Sequence, residues 1–434
     1  MPQHVYPYPP ESPASSCYHA CVNGEVVFVY HTDVADFLAV TCAGPSTVEI
    51  ELAASAGKVA VRPLHHGITA EVDGRHISFV LPAPGNVCVE VDDQLPLFVF
   101  INPPETDAPD PADPLVHYFR AGKVYDAGEI SLRESESLYI EGGAVVRGSV
   151  RARDAKNIRI RGRGILDGAC YAHGERRHIV LEACAGVLVE DLILIHPSSW
   201  MLVLGASRDI VVRNLKEIGE VMWSDGIDIV GSRDVLVEGC FLRNNDDCIA
   251  VKACDFTGYA NDALVDWRYD VSDVLVRDCV FLNAESGNAM EIGHEMRTDE
   301  VSHITFRNID VLSVHGHGAV FSIHNGDYAE IHDILFEDIR IEHCFDKLLD
   351  FRVFHSRSSY EPGQGTIHHV TLRDIHWQRT TYNAGYTLSV IGGYDARHRV
   401  ENVAIENFYL DGQRVTSLDE LEIHSRYAEE IELR

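Results

Sequence analysis

One short phrase recurs through most of the chain and restricts the fold more than any other feature. From residue 157 onward it reads NIRIRG, GVLVED, DIVVRN, DVLVEG, DVLVRD, HITFRN, DILFED, HVTLRD and NVAIEN. Its first apolar residue is Ile158, Val187, Ile210, Val235, Val274, Ile304, Ile334, Val370 and Val403, at intervals of 29, 23, 25, 39, 30, 30, 36 and 33 residues. A β-rich unit of this length cannot bury its apolar face alone, but neighbours stacked on it can. Helical repeats would need sustained 3.6-residue periodicity, and none is present. The chain is therefore expected to be all-β, a right-handed parallel β-helix of about ten coils with strands stacked ~4.8 Å apart.

The position five residues after each anchor tests this reading. It holds Leu192, Leu215, Cys240, Cys279, Ile309, Ile339, Ile375 and Phe408, the apolar column that an inward-facing ladder requires. Arg163 breaks the column in the first phrase. Cys240 and Cys279 are thereby read as core filling.

Ahead of the repeats the texture differs. Short β-rich runs (EVVFVYH, FLAVTC, STVEIEL, KVAVRPL, ITAEV, HISFVLP, NVCVEV, PLFVFIN) alternate with turn signals, among them Asp73-Gly74, a hairpin dipeptide. Residues 1–112 are expected to form an N-terminal β-sandwich, residues 113–434 the β-helical catalytic domain, with the proline-rich NPPETDAPDPADP as linker.

Composition excludes some functions. A formal net charge of −31 argues against nucleic-acid or anionic-membrane partners, which need a basic footprint. No apolar run is long enough to span a bilayer. The opening MPQHVYPYPPESPASS lacks the basic and apolar regions of an export signal, and 11 scattered cysteines make a poor disulfide framework. Cys17 and Cys21 are read as ordinary thiols. A cytoplasmic protein is expected.

The chemistry concentrates in WSDGIDIVGSRDVLVEGCFLRNNDDCIAVKA. Asp246 and Asp247 adjoin an apolar run, and Asp225 lies 21 residues earlier, close to one coil. Residues one coil apart stack, so the three carboxylates are expected to share a surface patch. Adjacent strand residues point to opposite faces, so both members of the pair face outward only at a bend. Crowded carboxylates cannot all stay ionised, so one becomes a proton donor near neutral pH. This is the inventory of inverting glycoside hydrolysis, with carboxyls roughly 6.5–9.5 Å apart. Asp-rich turns are also ordinary structural features of solenoids, so spacing alone leaves the matter open.

SDG followed by NNDDCIAVK on such a repeat resembles the polygalacturonase and rhamnogalacturonase family, glycoside hydrolase family 28, over residues 140–410. The resemblance implies a β-helix and an inverting mechanism without cofactor or metal. It implies Asp246 as general acid, with Asp225 and Asp247 holding the attacking water. An N-terminal sandwich ahead of a three-aspartate β-helix is also similar to the dextranase and isopullulanase family, glycoside hydrolase family 49, which cuts neutral α-glucans.

Departures from the first family bear on substrate. Its Gly-His-Gly motif corresponds to SGNAMEIGHE, with Asn288 in place of histidine and His294 and Glu295 following. Its Arg-Ile-Lys clamp for a substrate carboxylate corresponds to GAVFSIHNGD, which is read as lacking a cation. Arg297, Arg352 and Lys252 are the possible replacements, and a bidentate cation is what a carboxylate wants. A neutral glycan is therefore expected.

Further candidates for sugar contact are His324, Trp223, Tyr259, Trp267, Tyr328 and Phe354. His315, His317 and His324 are read as turn and groove residues rather than a metal site. The insertion CDFTGYANDALVDWRYD, which makes the longest repeat interval, is expected to wall the groove into a pocket and favour exo or oligosaccharide cleavage. The expected partner is a carbohydrate, with a homo-oligomer left open. The alternatives are a pectin-type hydrolase with a relocated clamp, a glycan transferase, a lyase on the same fold, and a non-catalytic carbohydrate-binding β-helix.

Overall fold

The computed structural model describes residues 3–256, 265–356, 359, 363–381 and 387–434. It divides into two compact units. The first comprises Met1–Ala127, Leu138–Arg147 and Arg161–Asp167, the second Gly128–Ser137, Gly148–Ile160 and Gly168–Arg434.

Two sheets face each other in the first unit. One has six strands, His4–Val5, Val29–His31, Asp36–Thr41, Val59–Arg62, Gly85–Val91 and Leu97–Asn102. The other has five, Tyr18–Val22, Glu25–Val27, Ser46–Leu52, Glu71–Asp73 and His76–Leu81. The alternation in STVEIEL is realised as buried Val48, Ile50 and Leu52, which share one core with Leu38, Val40, Val89, Val99 and Ile101 of the facing sheet. The hairpin forms with Asp73 opposite His76, leaving Gly74 and Arg75 as the turn. The run EVVFVYH is split between the sheets, Glu25–Val27 in one and Val29–His31 in the other. Arg163, the exception in the inward column, is buried with its Nη1 donating to Thr41 Oγ1 at 2.7 Å.

The third sheet has 29 strands and is a parallel β-helix. In the second unit each phrase stacks in register on the next, Val187 on Ile210, Ile210 on Val235, Val235 on Val274, and so to Val370 on Val403. All of the column from Leu192 to Phe408 is buried. Each phrase is bracketed by residues of positive φ, one before the anchor and four after it: Asp209 and Asn214, Asp273 and Asp278, His303 and Asn308, Asp333 and Asp338, His369 and Asp374, Asn402 and Asn407. Asn, Asp and His tolerate the left-handed region better than other side chains. These polar brackets turn the chain from one sheet of the coil into the next. No helix among the described residues is long and apolar enough to cross a membrane.

A second ladder carries the polar groups of interest. It comprises Ile227–Val230, Ile249–Phe256, Met290–Met296, Ala319–Asn325 and Lys347–Val353. Ile227, Ile249, Met290, Phe321 and Leu349 stack as one buried apolar column. The next position alternates to the opposite face and stacks Asp228, Ala250, Glu291, Ser322 and Asp350.

Candidate active site

The three aspartates sit where this ladder begins. Ile227 pairs with Ile249 and Ile249 with Met290. Counting back two residues puts Asp225, Asp247 and Asn288 in one column, with Asp246 a step earlier. The backbone confirms the stacking: Gly226 N–H donates to Asp247 O at 2.8 Å and Cys248 N–H to Asn288 O at 2.9 Å. Carboxylate oxygens of Asp225, Asp246 and Asp247 all lie within 4.8 Å of one another.

The turn NNDD is held by amides. Asn283 Nδ2 donates to Asp246 O at 2.7 Å and to Ser286 O at 2.6 Å. Ser286 Oγ donates to Asn245 O at 2.7 Å. Gly287, at φ 73, presses so close that a Cβ would stand 2.4 Å from the Asp246 carbonyl carbon and the Asp247 nitrogen. Gly226 of SDG meets the Cys248 carbonyl and the Glu217 carboxyl just as tightly. Glycine is demanded at both places by the close passage of the neighbouring coil.

Each aspartate has a different environment. Asp247 Oδ1 accepts from the Asn288 backbone N–H at 2.7 Å and from its Nδ2 at 2.8 Å. Asp225 Oδ2 accepts from Lys252 Nζ at 2.9 Å, which also donates to Asp228 Oδ1 at 2.9 Å and lies 4.1 Å from the centre of the Trp200 ring. Burial, aided by the Asp225 charge, raises Asp246 to about 7, against the opposing pull of Lys252. Burial and the charges of Glu291, Asp246 and Asp225 also raise Asp247. The pair titrates jointly, and the two donors from Asn288 favour leaving the negative charge on Asp247.

Further along the same ladder lies a second cluster. His324 Nδ1 is 3.0 Å from Glu291 Oε1 and its Nε2 is 3.2 Å from Asp350 Oδ2. Its ring stacks on His294, centroids 4.8 Å apart and planes at 5°. Burial alone would lower His324, but Glu291 and Asp350 outweigh it and raise the imidazole to about 9. His294 is lowered by burial and is the neutral partner of the stack. Glu291, His294 and His324 each present one ligand atom within 4.8 Å of the others. Arg352 pairs bidentately with Asp350, its Nη2 2.8 Å from Oδ2, and covers the Phe354 ring at 5.2 Å.

Several expectations change here. GAVFSIHNGD does carry a cation, because His324 is charged by its two flanking carboxylates. Lys252 is buried in ion pairs with Asp225 and Asp228. Arg297 is buried, with Nη1 on Asp255 and Nε 3.7 Å from Asp327. Asn288 spends its side chain on Asp247 and on the Ala319 N–H, which positions an acid. Trp267 is buried beside Val180, Trp200 and Cys254 and offers no stacking face. Trp223 is exposed, stacked on His173 at 4.9 Å, and its backbone N–H supports Asp246. Tyr328 is exposed, and Glu295 is half-buried near enough to Lys252 to stabilise its charge. Tyr259 and the tip of the insertion, 257–264, lie outside the described residues; its arms pair as an antiparallel hairpin, Cys254 opposite Trp267.

The reading of the sequence missed Asp228, Glu291 and Asp350. The signal was present in IDIV, MEIG and LDFR, where a carboxylate follows the inward apolar residue at the same register.

No family model matches the chain. In sequence it is 26% identical over 198 residues to the probable endopolygalacturonase D of Aspergillus flavus, a match covering 44% of this chain and 34% of that protein. It is 24% identical over 164 residues to the polygalacturonase of Chamaecyparis obtusa, 33% and 31% of the two chains. By sequence, the chain is similar to polygalacturonases over these spans. It spans about a third of the length of these curated relatives. In fold the chain matches Dex49A from Penicillium minioluteum with a TM-score of 0.69 at 15% identity, over 100% of this chain and 96% of that one. It matches a hyperthermoactive exopolygalacturonase from Thermotoga maritima with a TM-score of 0.52 at 16% identity, over 69% and 85%. The structural likenesses show the fold, and the match to Dex49A extends over the whole of this chain.

Proposed function

We propose that the protein is a glycoside hydrolase that cleaves a neutral glycan with inversion, and that it acts on chain ends or short oligosaccharides. The observation that carries this is the division of labour among three carboxylates. Asp246 keeps a proton near neutral pH, while Asp225 is tied to Lys252 and Asp247 to Asn288. A protonated acid beside two anchored carboxylates supports protonation of the glycosidic oxygen by Asp246 as a water, polarised between Asp225 and Asp247, attacks the anomeric carbon.

The spacing by itself speaks for a different outcome. Nearest oxygens within 4.8 Å are shorter than the roughly 6.5–9.5 Å between carboxyls usual for inversion and nearer the roughly 5–5.5 Å of retaining enzymes. A nearest-oxygen distance is a lower bound on the separation of the oxygens that react. A carboxylate held by an ammonium or by two N–H donors is also a poor nucleophile. These two arguments favour water as the attacking group.

A uronate substrate is the second reading, favoured by the names of the relatives and by His324 and Arg352. Against it, each of Lys252, Arg297, His324 and Arg352 already faces a carboxylate of the protein. Asp246 and Asp247 add to that acidic surplus. A polyuronate entering this field is opposed by like charge, whereas a neutral sugar is not.

The test is a screen of neutral and acidic oligosaccharides with the first-formed anomer read by proton NMR. Inverted product from a neutral substrate is expected. Retained configuration would overturn the mechanism, and efficient turnover of polygalacturonate would overturn the substrate class.

A pH profile follows from the same geometry. Asp246 must enter the reaction protonated, so kcat/KM should fall as pH rises through about 7. An alkaline limb beyond pH 9 would remove Asp246 from the role of acid.

A further inference from the structure

Asp350 is a carboxylate placed where a ligand carboxylate would fit. It lies on Lys347–Val353, in register with Ser322, while Arg352 is in register with His324. Its side chain is almost wholly buried. One oxygen accepts from Arg352 Nε; the other is 2.8 Å from Arg352 Nη2 and 3.2 Å from His324 Nε2. Arg352 itself is 39% exposed, so the guanidinium stands between solvent and the buried acid. The planar fork of an arginine with a second cationic N–H beside it is the arrangement that grips a carboxylate bidentately. Here the protein fills it with its own.

We propose that Asp350 is a specificity-determining residue, an internal anion that occupies the Arg352–His324 receptor and thereby denies it to the carboxylate of an acidic sugar. The inference rests on the neutral-glycan reading above and gives it a residue. Removing the carboxylate leaves Glu291, on the opposite nitrogen of His324, as the acid in contact with the pair among the described residues. An external carboxylate then gains a bidentate cation without displacing anything. A neutral sugar gains nothing. The charge balance of this small cluster therefore sets which sugars are tolerated, since specificity is a difference of affinities.

The experiment is calorimetric titration of the full chain and of its Asp350→Ala variant with galacturonate and galactose trisaccharides, at low and high salt. Wild type should favour the neutral trisaccharide. In Asp350→Ala the ratio of galacturonate to galactose affinity should rise at least tenfold, shrink with added salt, and collapse in the Asp350→Ala/Arg352→Gln double variant. Acetate at millimolar concentration should raise the melting temperature of Asp350→Ala and leave that of wild type unchanged. Where Asp350→Ala does not fold, Asp350→Asn is read in the same way, with the charge removed at constant volume. If wild type prefers the neutral sugar and neither variant gains for galacturonate, the role of Asp350 is overturned while the neutral-glycan reading stands. If wild type itself prefers galacturonate, the neutral-glycan reading falls and Asp350 is no barrier.

Discussion

Asp246→Asn and Asp225→Asn should each lower kcat by at least about a thousandfold, near the upper range of acid–base contributions, while the fold is retained. The amide is isosteric with the carboxyl, and the turn that carries Asp246 is held by groups the substitution leaves alone. Asn283 grips the Asp246 carbonyl, and Ser286 grips that of Asn245. What Asp246→Asn removes is the proton held near neutrality. What Asp225→Asn removes is the charge that helps to keep the proton on Asp246 and one of the two acceptors for water. Circular dichroism and melting temperature check the fold, and single-substrate kinetics check the rate. Activity within tenfold of wild type would exclude that residue from the mechanism.

Lys252→Met should destabilise the protein by about 3–5 kcal/mol, the usual cost of breaking a buried ion pair from one side. Lys252 Nζ serves two buried carboxylates, Asp225 and Asp228, each at 2.9 Å. Asp228 Oδ2 already has no hydrogen-bond partner among the described residues, so loss of the ammonium leaves that side chain stranded. Burial pushes its pKa well up, and Lys252 is the main force opposing that. Methionine retains most of the packing on Trp200, which isolates the charge effect. Adding Asp228→Asn to Lys252→Met should recover part of the loss, because the stranded charge is then gone. Denaturant unfolding measures both. A loss below 1 kcal/mol for Lys252→Met would show that water, not the ammonium, satisfies the two acids.

The coil was legible because its signal is local and repeated. Val187, Ile210, Val235 and their successors recur at one point of each phrase, and the column five residues later is buried from Leu192 to Phe408. The polar brackets at positive φ also belong to the phrase and were in view as Asp, Asn and His at its ends. The aspartate patch was legible for the same reason, since stacking by one coil places Asp225 near the pair. The exact partner was not: the register sets Asp225 beneath Asp247, with Asp246 a step aside.

What the sequence by itself determined is the β-helix, the sandwich ahead of it, and the meeting of Asp225, Asp246 and Asp247. All three follow from periodicity, which a linear text records. Only the tertiary structure decided what the cations do. Lys252, Arg297, His324 and Arg352 each look available when read along the chain, and His324 does not look like a cation at all. Their partners Asp228, Asp327, Glu291 and Asp350 come from other coils or from alternate outward positions, at sequence separations that vary with every insertion. Charge and proton occupancy depend on burial and on neighbours a few ångströms away in space. Stacking brings those neighbours together, and although each carboxylate has a local signal, the chain does not state which cation it will meet.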